Sequence, residues 1–396
     1  MSSIDTIKSS ILKLENHMRA GSYRGYDPYD GLTSPLFGLP YFQTITWIRF
    51  VSQQIVKRSP VNIRPALAIK AGYNPVTLGL ALHAISNLLT VLPERKAELQ
   101  GEGDRLVSEI ERVSSKGFSG YCWGYDFPWQ ARYASFPAHY PTVVATGIVT
   151  NGLFSYYETF GSARAFDMCR SAAKFVLNDL QRTYDRNTFC FSYSPNDSQI
   201  VFNATLKGAR LLSQVFSVTK ELPLAEEAGK TVRYVVNNQR PDGSWAYSSG
   251  DARTWVDNFH TGYVLDCLDE YIQRTGNREF RPALEKGLEF YVKNLFQDGV
   301  IPKYYSHRLY PIDSSAAAQS ILTLARFGKL EQAENVALWY IRNMQSTEGY
   351  FFYRKGRFLT NRISYMRWSN AWMYAALAYL LSKLKNTAQA GAHAHG

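Results

Sequence analysis

Six stretches of the chain open in the same way. A hydrophobic or bulky residue is followed by any residue, then Asn, Ser or Thr, then an apolar run rich in small side chains. The third residues are Thr77, Thr142, Asn203, Asn258, Ser314 and Asn370, at intervals of 65, 61, 55, 56 and 56 residues. Each is of a type that accepts hydrogen bonds from the first free amides of a helix, so the spacing predicts six helix starts in a repeating architecture. Gly147, Gly152, Gly208, Gly262 and the run Ala316 to Ala318 lie inside these segments. Such residues cost stability on an exposed helix but let neighbouring helices approach closely, as an inner ring requires. More polar, amphipathic segments at about 93–115, 162–182, 222–238, 277–295 and 329–345 alternate with them. The pattern predicts an all-α fold, an (α/α)6 toroid (a six-hairpin barrel) formed as one unit by residues 1–385. The sixth outer helix must come from the N-terminus, where helices at about 4–19 and 40–58 are both available to close the ring. The tail, 386–396, is small and polar and is expected to lack order.

Between each outer helix and the next inner one lies a short aromatic alternating stretch: "GYCWGY", "TFCFSY", "GSWAY", "GVIPKYY" and "GYFFYR". These read as β-hairpin lips on the face that carries the inner-helix N-termini. Free amides and the positive dipole ends converge on that face, so a site is expected there.

Several residues on that face are candidates for chemistry. Asp257 and Asp313 precede the fourth and fifth repeat positions at the same level. Helix axes about 8–10 Å apart would set them as the acid and base of an inverting glycosidase, whose carboxyls are about 6.5–9.5 Å apart. An aspartate beside a helix N-terminus is also favoured by the dipole alone. A second chemistry, proton abstraction beside a uronate carboxylate by a lyase or C5-epimerase, would use His260 as base and Tyr305 as acid, with Asn258 or Arg308 neutralising the carboxylate. In "GYCWGYDFPWQARYASFPAHY", Trp123, Tyr125 and Trp129 offer flat faces to sugars, while Asp126, Gln130, Arg132 and His139 offer polar contacts. Asp126 is counted with the catalytic candidates; it, Arg308 and Arg367 would orient charge. Trp245 and Trp368 would also stack on sugar rings. The tyrosine-rich stretch "YRGYDPYDGL" contributes Tyr26 and Asp27, expected to cover the same mouth.

Lys and Arg outnumber Asp and Glu by 44 to 33, and no acidic residue follows Glu348. A positive field of this kind concentrates an anionic ligand. The sixth lip alternates basic and aromatic residues, but a toroid offers a pocket rather than a track and no nucleic-acid module is recognisable, so nucleic acid is not an expected partner. The four cysteines are scattered singly, which signals neither zinc nor a disulfide framework. Glycine-rich phosphate loops are missing, so no metal or cofactor is expected. No segment offers eighteen uncharged apolar residues, and a cytoplasmic protein is the expectation, with peripheral attachment to the inner face of the membrane as an alternative.

"QRPDGSW", Gln239 to Trp245, resembles the Q-x3-G-x-W motif of terpenoid cyclases and protein prenyltransferases, and "QSTEGYF" is a looser copy. The protonating and diphosphate-binding aspartate motifs of those enzymes are absent, so the resemblance implies the toroid first, with a terpenoid cyclase-like enzyme as an alternative function. "YRGYDPYDGLTSP" and "GYCWGYDFPWQ" resemble polysaccharide-biosynthesis proteins of exopolysaccharide and O-antigen clusters (VpsJ-type). That family looks like the toroids of six-hairpin glycosidases, polysaccharide lyases and uronate epimerases. The resemblance implies acid/base chemistry on an anionic or lipid-linked oligosaccharide, or a non-catalytic glycan-binding role in the same assembly. It supplies no catalytic motif to carry over.

Overall fold

The computed structural model describes residues 2–38, 45–131 and 134–394. Among them are thirteen α-helices: α1 (Ser3–Ala20), α2 (Thr46–Arg58), α3 (Pro75–Val91), α4 (Lys96–Arg112), α5 (Val143–Phe160), α6 (Ala163–Asn178), α7 (Phe202–Thr219), α8 (Leu222–Asn237), α9 (Asn258–Thr275), α10 (Arg281–Asn294), α11 (Ser314–Arg326), α12 (Leu330–Met344) and α13 (Trp372–Ala394). Helices α3, α5, α7, α9, α11 and α13 each pack on the next, and α13 packs on α3, so the inner ring closes. Close approach is what the small residues allow: a Cβ on Gly152 would lie 2.0 Å from the carbonyl oxygen of Gly79 on the neighbouring inner helix. The inner helices are almost wholly buried; the outer ones bury one apolar stripe, as Leu99, Leu106 and Ile110 show on α4.

The two Q-x3-G motifs explain how the ring is completed. Gln239 Nε2 donates to the carbonyls of Gly243 and Ala283, both at 2.9 Å, and Gly243 (φ +92°) packs so tightly on α10 that a Cβ would meet the Lys286 oxygen at 2.5 Å. Gln345 Nε2 does the same with Gly349 and with Ser10 of α1, and a Cβ on Gly349 (φ +95°) would meet the Lys13 oxygen at 2.5 Å. Helix α1 therefore occupies, after α12, the place that α10 occupies after α8. The N-terminal closing helix is α1. Helix α2 lies elsewhere, over the mouth, where Gln53 holds both backbone polar groups of Gln130; the start expected for it near residue 40 falls outside the described residues.

The lips are small antiparallel pairs: β1 (Trp129–Gln130) with β2 (Ser135–Phe136), β3 (Arg182–Asp185) with β4 (Thr188–Phe191), β5 (Ile200–Val201) with β6 (Ser248–Ser249), β7 (Phe296–Gln297) with β8 (Ile301–Pro302). The sixth lip is a three-stranded sheet of β9 (Ile312–Asp313), β10 (Phe352–Lys355) and β11 (Thr360–Ser364), in the order β11-β10-β9.

The helix starts differ from expectation in position. Thr142 caps α5, accepting from Ala145 N. In α9 and α11 the caps are Asp257 and Asp313, one residue before Asn258 and Ser314, and in α3 the cap is Asn74 rather than Thr77. Asn203 lies inside α7, behind an extended Val201, and Asn370 sits in a π-helical turn, Met366–Ala371, that precedes α13. Helix α13 continues to Ala394, through most of the tail expected to be without order.

Candidate active site

Lip backbones carry functional side chains to the helix starts. Asn258 N donates to Tyr304 O and Ser306 N to Val256 O, each at 3.2 Å, which sets Tyr305 beside Asp257. On the next lip β9 pairs with β10 so that Arg354 stands opposite Asp313. A cavity of about 380 Å³ opens between these lips and the inner flank of α2. It is lined by aromatic rings from distant segments, including Tyr29, Tyr125, Trp129, Tyr193, Tyr247 and Trp368.

Asp257 and His260 form a dyad in its wall. The carboxylate caps α9 through Oδ1, which accepts from His260 N at 2.9 Å, while Oδ2 lies 2.7 Å from His260 Nδ1 and accepts from Trp255 Nε1 at 3.0 Å. With Nδ1 engaged, Nε2 is the nitrogen left for a ligand. Tyr247 and Phe259 pack at 4.5 and 4.1 Å from the imidazole, centroid to centroid, and fix its plane.

Opposite chemistry comes from the N-terminal stretch. Tyr29 OH accepts from Lys57 Nζ at 2.6 Å, and the same ammonium sits 3.9 Å from the ring centroid. Burial pushes this phenol up, but Lys57, with Arg354 and Arg367 beyond it, outweighs burial and holds it below the ordinary tyrosine value. Tyr305 goes the other way, raised by partial burial and by the charge of Asp257. The cavity thus holds an imidazole backed by a carboxylate, an acidified phenol and a phenol that keeps its proton.

Asp313 is not available as the expected partner of Asp257. It is fully buried, its Oδ1 accepts from Ser315 N, Ser315 Oγ and Ala316 N, and Arg354 Nε donates to its Oδ2. Trp368 Nε1 adds a contact at 3.3 Å to each oxygen, so both oxygens are fully engaged. Asp257 is then the one carboxylate among the described residues lining the cavity.

Arg367 stands in the cavity wall and binds Asp27 with both arms, at 2.6 and 2.8 Å. Behind that pair a second cavity of about 330 Å³ contains Tyr26, Asp27 and Asp126. Asp126 accepts from Asn74 Nδ2 at 2.7 Å and has its carboxyl raised, first by burial and then by neighbouring Asp27. So Tyr26, Asp27 and Asp126 gather at the same end of the toroid but not in the cavity of the dyad.

Other expected contacts are corrected by burial and exposure. Trp123 and Trp245 are packing residues that donate to Ile110 O and Val235 O, with at most 2% of their surface exposed. Asn258 is fully buried, donating to Leu295 O and accepting from Tyr291 and Ser320 hydroxyls. His139 and Arg308 are exposed and do not line the cavity. Trp129, stacked 4.4 Å on Phe136, and Trp368 do line it. Arg132 lies outside the described residues. Tyr29 and Lys57 are the contributors the sequence did not reveal.

No family model matches the sequence, and no curated protein matches it. Solved structures with the same fold are numerous. Among them are cellobiose 2-epimerase from Bacillus thermoamylovorans B4167 (TM-score 0.62, 12% identity, 79% of this chain and 88% of that one) and a GH76 α-mannanase from Bacteroides thetaiotaomicron (TM-score 0.60, 12% identity, 81% and 88%). A glycoside hydrolase family 76 mannosidase of the same species aligns over 99% of this chain and 100% of its own at 10% identity and a TM-score of 0.60. The likeness establishes the (α/α)6 toroid.

Proposed function

We propose that the chain is a carbohydrate-active enzyme that moves a proton at a sugar carbon next to a carbonyl or carboxylate, as an epimerase or lyase does. The observation that carries this reading is the Asp257–His260 dyad facing an aromatic-lined cavity that holds no second carboxylate among its described residues. His260 Nε2 is the base, held in the accepting tautomer by Asp257. Tyr29 or Tyr305 returns the proton, and Lys57 sits where negative charge develops on the substrate oxygen. Trp129, Trp368 and the tyrosines supply the stacking surface a sugar ring needs.

A two-carboxylate hydrolase is supported by the toroid's likeness to a GH76 α-mannanase, but its acid and base would need a free partner for Asp257, and Asp313 is engaged. The substrate we infer is an oligosaccharide, anionic or lipid-linked, in surface-polysaccharide assembly. The net charge of +11 and the resemblance of two sequence stretches to polysaccharide-biosynthesis proteins support that inference.

The test is incubation in D2O with reducing disaccharides and with uronate oligosaccharides. NMR would follow deuterium at the carbon beside the carbonyl or carboxylate, and absorbance would follow a new double bond. Deuterium or unsaturated product that disappears in His260→Asn supports the proposal. Bound oligosaccharide recovered unchanged makes the protein a glycan binder, and cleavage without exchange makes it a hydrolase.

A further inference from the structure

Helix α2 is amphipathic in the wrong sense for a helix of a soluble surface. Its inner side buries Ser52 and Gln53, together with Val56, while its outer side shows Trp47, Val51 and Ile55, at 66%, 44% and 60% exposure. These three positions are four residues apart and form one stripe along the helix. Val61, just beyond its end, is 67% exposed. The turn between β10 and β11 adds Phe358 and Leu359, at 92% and 60%. The two features adjoin: Asn361 Nδ2 donates to Ser59 O at 3.0 Å, and Leu359 shares a surface cavity with Gln54, Lys57 and Arg58.

The charge carried by the two stretches that build this patch has one sign. No Asp or Glu occurs between Asp30 and Glu94, or after Glu348, and the patch is built from those two stretches. Arg58, Lys355, Arg357 and Arg362 belong to them, and among the described residues none of the four forms a salt bridge. Exposed aromatic and aliphatic side chains set among cations without an acidic partner are the composition of an interfacial membrane anchor, in which the rings enter the headgroup boundary and the basic residues are drawn to an anionic surface. No described helix is long and apolar enough to cross a membrane, so the contact is with the interface.

We propose that α2 and the β10–β11 turn dock the protein on a bilayer rich in anionic lipid. Phe50, Gln54 and Lys57, on the inner flank of the same helix, line the cavity of the dyad. Docking therefore sets the mouth of that cavity against the membrane surface, where a saccharide on a lipid carrier would be presented. The docking inference stands on this surface and not on the proton-transfer reading, although the two together would explain a lipid-linked substrate.

The test is co-sedimentation of the full chain with phosphatidylcholine vesicles, with and without about 30 mol% phosphatidylglycerol. Binding is expected to the anionic vesicles alone, to weaken as salt is raised, and to fall at least about tenfold in Trp47→Glu/Ile55→Glu and in Phe358→Ser/Leu359→Ser. Wild-type protein that ignores anionic vesicles overturns the proposal. So does binding that survives in both double variants while their thermal melts match the wild type. A patch whose variants turn a dimer into a monomer without any vesicle binding is an interface between copies, which also overturns it. Deuterium exchange on soluble oligosaccharide, run on the same variants, separates the two readings: docking can fail with exchange intact, and exchange can be absent while docking holds.

Discussion

Replacing Asp257 by Asn isolates the role of one proton. Asparagine caps helices about as well as aspartate, so Oδ1 can continue to accept from His260 N, and a substitution that removed only a cap would change little. The other carboxylate oxygen is the informative one. Oδ2 lies 2.7 Å from His260 Nδ1 and accepts from Trp255 Nε1 at 3.0 Å. An NH2 group in that place cannot accept from the indole, and it can bond the imidazole only if Nδ1 becomes the acceptor. The ring proton then moves to Nε2, and the nitrogen facing the cavity becomes a donor that cannot take a proton from substrate. General base catalysis contributes about 10²–10⁴-fold, so turnover should fall by that factor, equivalent to about 3–5.5 kcal/mol of barrier, with KM little changed. If the amide flips instead, its NH2 meets the buried His260 N–H, and the unsatisfied donor costs about 1–3 kcal/mol of stability. One of these two losses must appear. The assay is the rate of deuterium incorporation at saturating oligosaccharide, paired with a urea melt. Asp257→Asn that exchanges within about threefold of the wild type and melts with it would refute the dyad and leave Asp257 as a helix cap.

Two further substitutions probe the ring itself. Lys207 is 1% exposed, with its ammonium 3.7 Å from the Tyr263 ring centroid, and burial pushes it down to about 7. A folded value below the ordinary one means the cost of the charged group is full below about pH 7 and fades as pH rises toward the unfolded value of about 10.4. Lys207→Met should therefore raise Tm by about 2 °C or more at pH 6 and by less at pH 10, read from paired thermal melts; a gain that grows with pH contradicts this. Gly349→Ala places a Cβ 2.5 Å from Lys13 O at φ +95°, which should cost more than about 1 kcal/mol in urea unfolding by loosening α1 from the ring; an unchanged midpoint would show that α1 is not clasped there.

Much of the fold was legible in the chain because a repeat forces the same physical solution six times. The cap types, the small residues and the alternating amphipathic segments all pointed to one ring. The register of the caps was not legible at α9 and α11. Asp257–Asn258 and Asp313–Ser314 are each a pair of good capping residues, and only the backbone decides which stands outside the helix. Nor could the sequence sort the tryptophans. Trp123 and Trp129 lie six residues apart in one lip, yet the first is sealed under α4 by its bond to Ile110 O and the second faces the cavity. Tyr29 and Lys57 meet only because α2 folds back over the mouth, a long-range placement that local pattern does not encode. The apolar outer stripe of α2 was written in the sequence, but its meaning depends on knowing which side the toroid buries.

The two cap aspartates show how a repeat can carry one activity rather than several. Asp257 and Asp313 share a backbone position, a helix dipole and near-complete burial. What separates them is the partner that each carboxylate meets. Each receives an indole N–H, but Asp257 also meets an imidazole, so its charge orients a ring that can accept a proton. Asp313 meets Arg354, brought by the pairing of β9 with β10, and a guanidinium cannot be deprotonated under these conditions, so that carboxylate is spent on holding the sixth lip in place. The inner ring supplies equivalent positions; a histidine in the first turn of α9 assigns one to chemistry, and an arginine of the sixth lip assigns the other to structure. An Arg354→Met variant would leave Asp313 buried without its cation, at a cost of about 3–5 kcal/mol, rather than turn it into a second catalytic acid.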